Sequence, residues 1–247
     1  KYGMKVSCIS GGLLKCDPPS LTPSNVEDTQ PRSVSHNWKY NFGQFPRMLE
    51  LAEILDSPYI RCFGFHGRWE VLPIPQWNDW KVYQEWSEIV KNLSNKAAAK
   101  GKHLICENEG GLNKSLQHIE KIGHDHCGNG FGMLFDTANV ANKYGLQGVL
   151  TDEWLGRIAK YIQYIHAKGF GKSIFGYHTI LVNQKKDICR WPAILKHFTQ
   201  MKPSDFVAPA PDPLFISIET HTGGPKKRWD YSCNSIQNLL AVIKPYL

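Results

Sequence analysis

A parallel α/β fold of the (β/α) barrel kind is what this sequence predicts, and three observations predict it. Short apolar runs recur at about 4–9, 59–64, 103–107, 131–136, 162–167 and 214–219, each the length of a strand buried on both faces. Helical patterns fill the intervals, and strands alternating with helices imply a parallel sheet. Four of the runs end in a polar residue of one chemical kind: His103-Leu-Ile-Cys-Glu107, Phe131-Gly-Met-Leu-Phe-Asp136, Tyr161-Ile-Gln-Tyr-Ile-His166 and Leu214-Phe-Ile-Ser-Ile-Glu219. Barrel enzymes carry their chemistry at the C-terminal ends of strands, so these four side chains would converge if the strands close. No G-x-G-x-x-G follows a strand and no G-x-x-x-x-G-K-[ST] occurs, which sets the barrel ahead of the doubly wound nucleotide folds.

Each helix has its own signal. Pro46-Arg-Met-Leu-Glu-Leu-Ala-Glu-Ile-Leu places apolar residues at helical spacing. The pattern from Trp80 to Lys100 is longer and closes at Gly101, where glycine supplies the stop. Lys114 to Ile122, Asp152 to Tyr161, Trp191 to Gln200 and Asn234 to Ile243 continue the alternation. Long connections are expected at 10–45, 66–79, 168–190 and 201–213, and segments of that length are commonly binding loops or lids. The whole of 1–247 reads as one barrel domain. A closed barrel needs eight strands and this reading finds six, so roughly two strand–helix units, on the order of 50 residues, are expected to precede Lys1.

Composition narrows the classes. The 247 residues are 42% hydrophobic and 12% aromatic, enough for a large core and against disorder. Lys and Arg number 29 and Asp and Glu 22, a net charge of +7 that fits an anionic small substrate at least as readily as nucleic acid. No run approaches the ~18–20 apolar residues of a membrane span. The seven cysteines lack C-x-x-C spacing and several lie inside apolar runs, so reduced thiols in a cytoplasmic protein are expected.

Two glutamates, an aspartate and an imidazole suit a divalent cation with mixed oxygen and nitrogen ligands and open positions for substrate. Each residue also has an ordinary reading. Glu107 could be a plain strand-end carboxylate, Asp136 could cap the turn through Thr137, and His166 could be a satisfied core histidine. Lys168, two residues beyond His166, faces the same way by strand alternation and either contacts substrate or forms an ion pair. Arg61 could hold a substrate oxygen or close a salt bridge in the barrel mouth. Asn108, Asn139, His66, His178 and His221 are further polar candidates near strand ends. Lys226-Lys227-Arg228 follows the last strand, where barrels often bind phosphate, and a solvated loop is the competing reading. Trp69, Trp77 and Trp80 could wall a sugar site or simply pack.

Leu51-Ala-Glu-Ile-Leu-Asp-Ser-Pro-Tyr-Ile-Arg61, Cys106-Glu-Asn-Glu-Gly-Gly111, Leu134-Phe-Asp-Thr-Ala-Asn139, Ile165-His-Ala-Lys168 and Ser217-Ile-Glu-Thr220 together resemble the xylose isomerase-like TIM barrel superfamily. That group includes sugar and sugar-phosphate isomerases and epimerases, inosose dehydratases and apurinic-site endonucleases. The resemblance covers nearly the whole chain, from about the family's third strand onward. It implies that Glu107, Asp136, His166 and Glu219 ligate a divalent metal (manganese, magnesium, cobalt or zinc), with Glu107 and Glu219 also the catalytic acid and base. It further implies a carbohydrate substrate, for which Arg61, Lys168, Asn139, His221 and Arg228 are the candidate contacts by position, and a homo-oligomer is compatible with it. The expected reaction is isomerisation or epimerisation through an enediolate. A metal-dependent lyase or dehydratase on a keto-sugar or cyclitol is the alternative, and an endonuclease-like phosphodiesterase the second alternative. Two departures bear on the reaction: Glu109 stands where the family often has His, and Gly169 where it often has Asp.

Overall fold

The computed structural model of the 247-residue chain describes residues 3–21, 38–65, 71–113, 115–144, 150–173, 176–207, 213–219 and 225–246. It divides into two compact units, Lys1–Leu134 and Phe135–Leu247.

The N-terminal unit holds β1 (Cys8–Ser10), α1 (Trp38–Gly43), α2 (Phe45–Ile54), β2 (Tyr59–Phe63), α3 (Lys81–Ala98), β3 (His103–Glu107) and α4 (Leu116–His126). β4 (Phe131–Asp136) carries the chain out of it. The strands pair in parallel, with Cys8 opposite Tyr59, Tyr59 opposite His103 and Leu104 opposite Phe131. Burial on both faces explains their unbroken apolar character: every residue of β4 is buried, as are four of the five in β3. α3 lies on the sheet through Trp86, which is fully buried and donates its indole N–H to the Phe63 carbonyl at 3.0 Å. Gly101, at φ +65°, ends that helix in a Schellman turn. Lys102 N–H reaches the Ala97 carbonyl at 3.0 Å, and Gly101 N–H reaches that of Ala98 at 2.9 Å. At the start of α4 the Ser115 hydroxyl accepts from His118 N–H at 3.1 Å, an ordinary N-cap.

The C-terminal unit holds α5 (Thr137–Tyr144), α6 (Asp152–Ile158), β5 (Ile162–Ala167), β6 (Gly169–Ser173), β7 (Gly176–Ile180), α7 (Trp191–Gln200), β8 (Phe215–Ile218) and α8 (Pro225–Ile243). β5 and β8 are parallel, with Tyr164 opposite Phe215 and His166 opposite Ser217. The predicted fold class stands: six strands share one sheet in the order β1-β2-β3-β4-β5-β8.

Four expectations are corrected. The connection at 168–190 is not irregular, because β6 and β7 form an antiparallel hairpin within it. The connection at 10–45 contains α1 and a single helical turn at Pro19–Leu21. α5 was not foreseen. The last helix begins at Pro225 rather than Asn234, its proline at the first helical position, where the missing N–H costs nothing. All seven cysteines are free, and among the described residues no helix is long and apolar enough to cross a membrane.

His126 gives the N-terminal unit a pH dependence. Its Nε2 lies 3.2 Å from both the Tyr83 hydroxyl and the Ser87 hydroxyl, and its ring sits edge-on to Trp86 and Phe131. Burial pushes its pKa down to about 4, against the opposing pull of Asp125. A base whose pKa is lower folded than unfolded contributes stability that is complete above its unfolded value, near 6.5, and is lost as pH falls toward 4. The unfolding free energy from urea titration should therefore drop between pH 6.5 and 4.5, by at most about 3 kcal/mol from this group. His126→Gln should flatten that slope, and an unchanged slope would contradict the assignment.

Candidate metal centre

Asp136 closes β4 and begins α5 at the same time. Its Oδ1 accepts from Ala138 N–H at 2.8 Å and Asn139 N–H at 3.1 Å, so the capping role read from the sequence is real. A cap needs only one carboxylate oxygen. The other, Oδ2, lies 2.7 Å from Lys168 Nζ.

β5 supplies His166, and Lys168 follows it on the same side. Glu219 comes directly after β8, its N–H bonded to the Ala167 carbonyl at 3.1 Å, which fixes it beside the end of β5. Its Oε2 lies 3.6 Å from His166 Nδ1 and 2.6 Å from Lys168 Nζ. Asp136, His166 and Glu219 thus each offer a ligand atom within 4.8 Å of the others, in buried or half-buried surroundings. Two carboxylates and an imidazole are the donor set of a divalent cation that takes mixed oxygen and nitrogen ligands, so these residues fit such an ion.

The electrostatics follow from burial and pairing. Burial pushes the Glu219 carboxyl up, but its contact with Asp136, the Lys168 ammonium and His166 together hold it well below the usual carboxylate range. Burial would lower Lys168, yet the carboxylates of Asp136 and Glu219 outweigh it and raise the ammonium above an ordinary lysine. The backbone here is fixed. Thr137 donates its hydroxyl to the Lys168 carbonyl at 3.1 Å, and a side chain at Gly169 would meet the carbonyls of Ile180 and Leu181 at 2.5 Å. Only glycine fits at position 169, because the β6–β7 hairpin closes against it.

In the N-terminal unit, Glu107 ends β3 fully buried, opposite Leu134 of β4 and two residues short of Asp136 along that strand. Arg61 donates from Nη1 to Glu107 Oε2 at 2.8 Å and stacks its guanidinium over Phe63. Arg61 thus forms the salt bridge that was one of its two readings. Asn113 donates to the Glu107 carbonyl and to Cys106 Sγ. The loop after β3 is stitched to the end of β2, Gly111 N–H to Phe65 O and Leu112 N–H to Gly64 O, both at 2.9 Å. Glu109, the other departure, pairs with Lys15 at 2.9 Å, and Lys15 also lies over Phe63. The sequence assigned neither Lys15 nor Asn113 a role at the site. Lys15 carried no signal, while Asn113 followed a Gly-Gly turn that marks a tight corner.

The remaining candidates scatter. Asn139 is half-buried in the first turn of α5, Asn108 is fully buried, and His178 is exposed on β7. Arg228 is an exposed residue of α8, so the basic run is helical rather than a loop. Trp77 is fully buried and stacks on His118, which makes it core rather than a sugar wall. His66, Trp69 and His221 lie outside the described residues.

No protein-family model and no curated protein matches the chain. Solved structures do. The IOLI protein, solved with a zinc atom, superposes with a TM-score of 0.63 at 13% identity, over 85% of this chain and 71% of that one. A xylose isomerase-like TIM barrel protein from Mycobacterium smegmatis, in complex with magnesium, gives 0.61 at 11% identity over 99% and 75%. A D-tagatose 3-epimerase-like protein gives 0.60 at 16% identity over 99% and 80%. The fold is that of the xylose isomerase-like TIM barrels, as the sequence motifs implied.

Proposed function

We propose that this chain is a divalent-metal-dependent sugar isomerase or epimerase. The observation that carries the reading is the convergence of Asp136, His166 and Glu219 from three different strand ends. Glu107 joins them as the fourth ligand in this reading, supported by its register beside β4 and its complete burial. The relatives of like fold that were solved with zinc or magnesium, and the epimerase-like one, point the same way.

A divalent cation at this centre supplies Lewis acidity, which polarises a carbonyl and acidifies the neighbouring C–H. The chain's own residues do the rest. Glu107 and Glu219 remove and return the proton, one on each side of the substrate's enediolate. Arg61 orients the Glu107 carboxylate through their salt bridge and is assigned a substrate oxygen as a second partner. Lys168 is assigned a substrate hydroxyl or carbonyl oxygen beside Glu219, and Asn139, His221 and Arg228 are assigned weaker substrate contacts. The substrate class is a ketose or related polyol, with an anionic group accommodated by the net positive charge.

Chelation and readdition test this directly. Turnover of a panel of ketoses and ketose phosphates should vanish after dialysis against a chelator and return with manganese, cobalt, magnesium or zinc. Asp136→Asn should weaken the metal at least about tenfold, as loss of a ligand must exceed loss of a supporting contact. Full turnover in the chelated protein would overturn the reading. Metal-dependent loss of water, in place of proton transfer, would favour the lyase instead.

A further inference from the structure

We propose that Lys168 and the divalent cation compete for the same two carboxylates, so that loading the site drives the ammonium off Asp136 and Glu219 and toward the substrate. This rests on the metal-site reading above and concerns how that site is occupied.

The geometry makes the competition hard to avoid. Lys168 Nζ lies 2.7 Å from Asp136 Oδ2 and 2.6 Å from Glu219 Oε2, and its side chain is only 7% exposed. A dication bound to those oxygens would stand next to the ammonium, and like charges at that range in a water-poor site repel strongly. One of them must yield. The backbone of Lys168 cannot, since its carbonyl is held by Thr137 and the hairpin closes on Gly169 behind it. The four-carbon stem can, because a lysine carries its charge on a flexible chain with rotatable donors. Lys168 then has two positions: neutralising the paired carboxylates, or facing the substrate once the metal has replaced it. The ammonium is a positioning group coupled to the metal, and its removal should strengthen metal binding.

The experiment uses the full chain as wild type, Lys168→Met, Lys168→Gln and Lys168→Arg, with manganese chloride titrated by calorimetry and no sugar present. The neutral variants should bind manganese at least about tenfold more tightly than wild type, and Lys168→Arg should stay near wild type. In chelator the neutral variants should also melt at lower temperature than wild type, and manganese should raise their melting temperature by more. A salt bridge that merely supports the fold would lower both melting temperatures and leave the affinity unchanged. If Lys168→Met does not fold, Lys168→Gln carries the comparison, since it keeps polar reach without the charge. Wild-type binding that neither neutral variant tightens overturns this inference alone. No manganese binding by any of the four proteins overturns the metal reading, and this inference with it.

Discussion

Glu219→Gln should lower turnover by about 10²–10⁴-fold, the range expected when a positioned acid or base is removed. The amide keeps the size and shape of the carboxylate. It should keep its backbone bond to the Ala167 carbonyl, which involves only the Glu219 N–H. What it loses is charge and basicity. In the native site Asp136, Lys168 and His166 together keep Glu219 ionised in spite of burial. The variant also weakens the metal, so its rate must be measured at saturating manganese to separate the two losses. A variant that reaches wild-type turnover once saturated with metal would leave Glu219 a ligand only. Loss that persists at saturation is the outcome expected for a ligand that is also the base.

Gly110→Ala should cost about 3 kcal/mol or more of stability and impair the site with it. Gly110 adopts φ +126°, a conformation that a residue with a Cβ rarely takes, and an added methyl would lie 2.3 Å from the Phe65 carbonyl oxygen. The obstruction is backbone and cannot swing aside. It immediately precedes two bonds that pin the loop after β3 to the end of β2, and that loop carries Asn108 and Glu109 directly after Glu107. Either the loop lifts, which releases the bonds of Gly111 and Leu112, or β2 shifts. Urea unfolding of the variant measures the cost, and manganese titration shows whether Glu107 has moved. An unfolding free energy within about 0.5 kcal/mol of wild type would contradict the strain at Gly110.

The parts of this fold that were legible in the sequence are those governed by burial. β3, β4 and β5 are buried on both faces, so their runs are mostly apolar and their limits match the structure residue for residue in all three. Trp191–Gln200 was legible for the analogous reason at helical period. The hairpin was not. Gly169-Phe-Gly-Lys-Ser173 alternates glycine with other residues and offers no apolar face, and its pairing is set by contacts with 176–180 rather than by local pattern. α5 was hidden because Thr137-Ala-Asn-Val-Ala-Asn-Lys-Tyr144 is short and polar at half its positions, and its start depends on Asp136 serving as cap. The strand-end carboxylates were readable because strand termini report position. The partners of those carboxylates were less so: Lys15 and Glu109 are 94 residues apart, and no local spacing announces a pair at that separation. The Lys168 contacts were half-visible, since alternation gave its side but not the two oxygens it bridges.

Solvent deuterium exchange tests the central claim most directly, because it reads proton transfer itself without requiring that the natural product be known. The protein is incubated in D2O with candidate ketoses and manganese or cobalt, and deuterium at the carbon beside the carbonyl is followed by NMR. The account predicts incorporation that needs the metal, stops with chelator and is lost in Glu219→Gln even at saturating metal. Metal-dependent turnover of a ketose with no deuterium entering that carbon would contradict it.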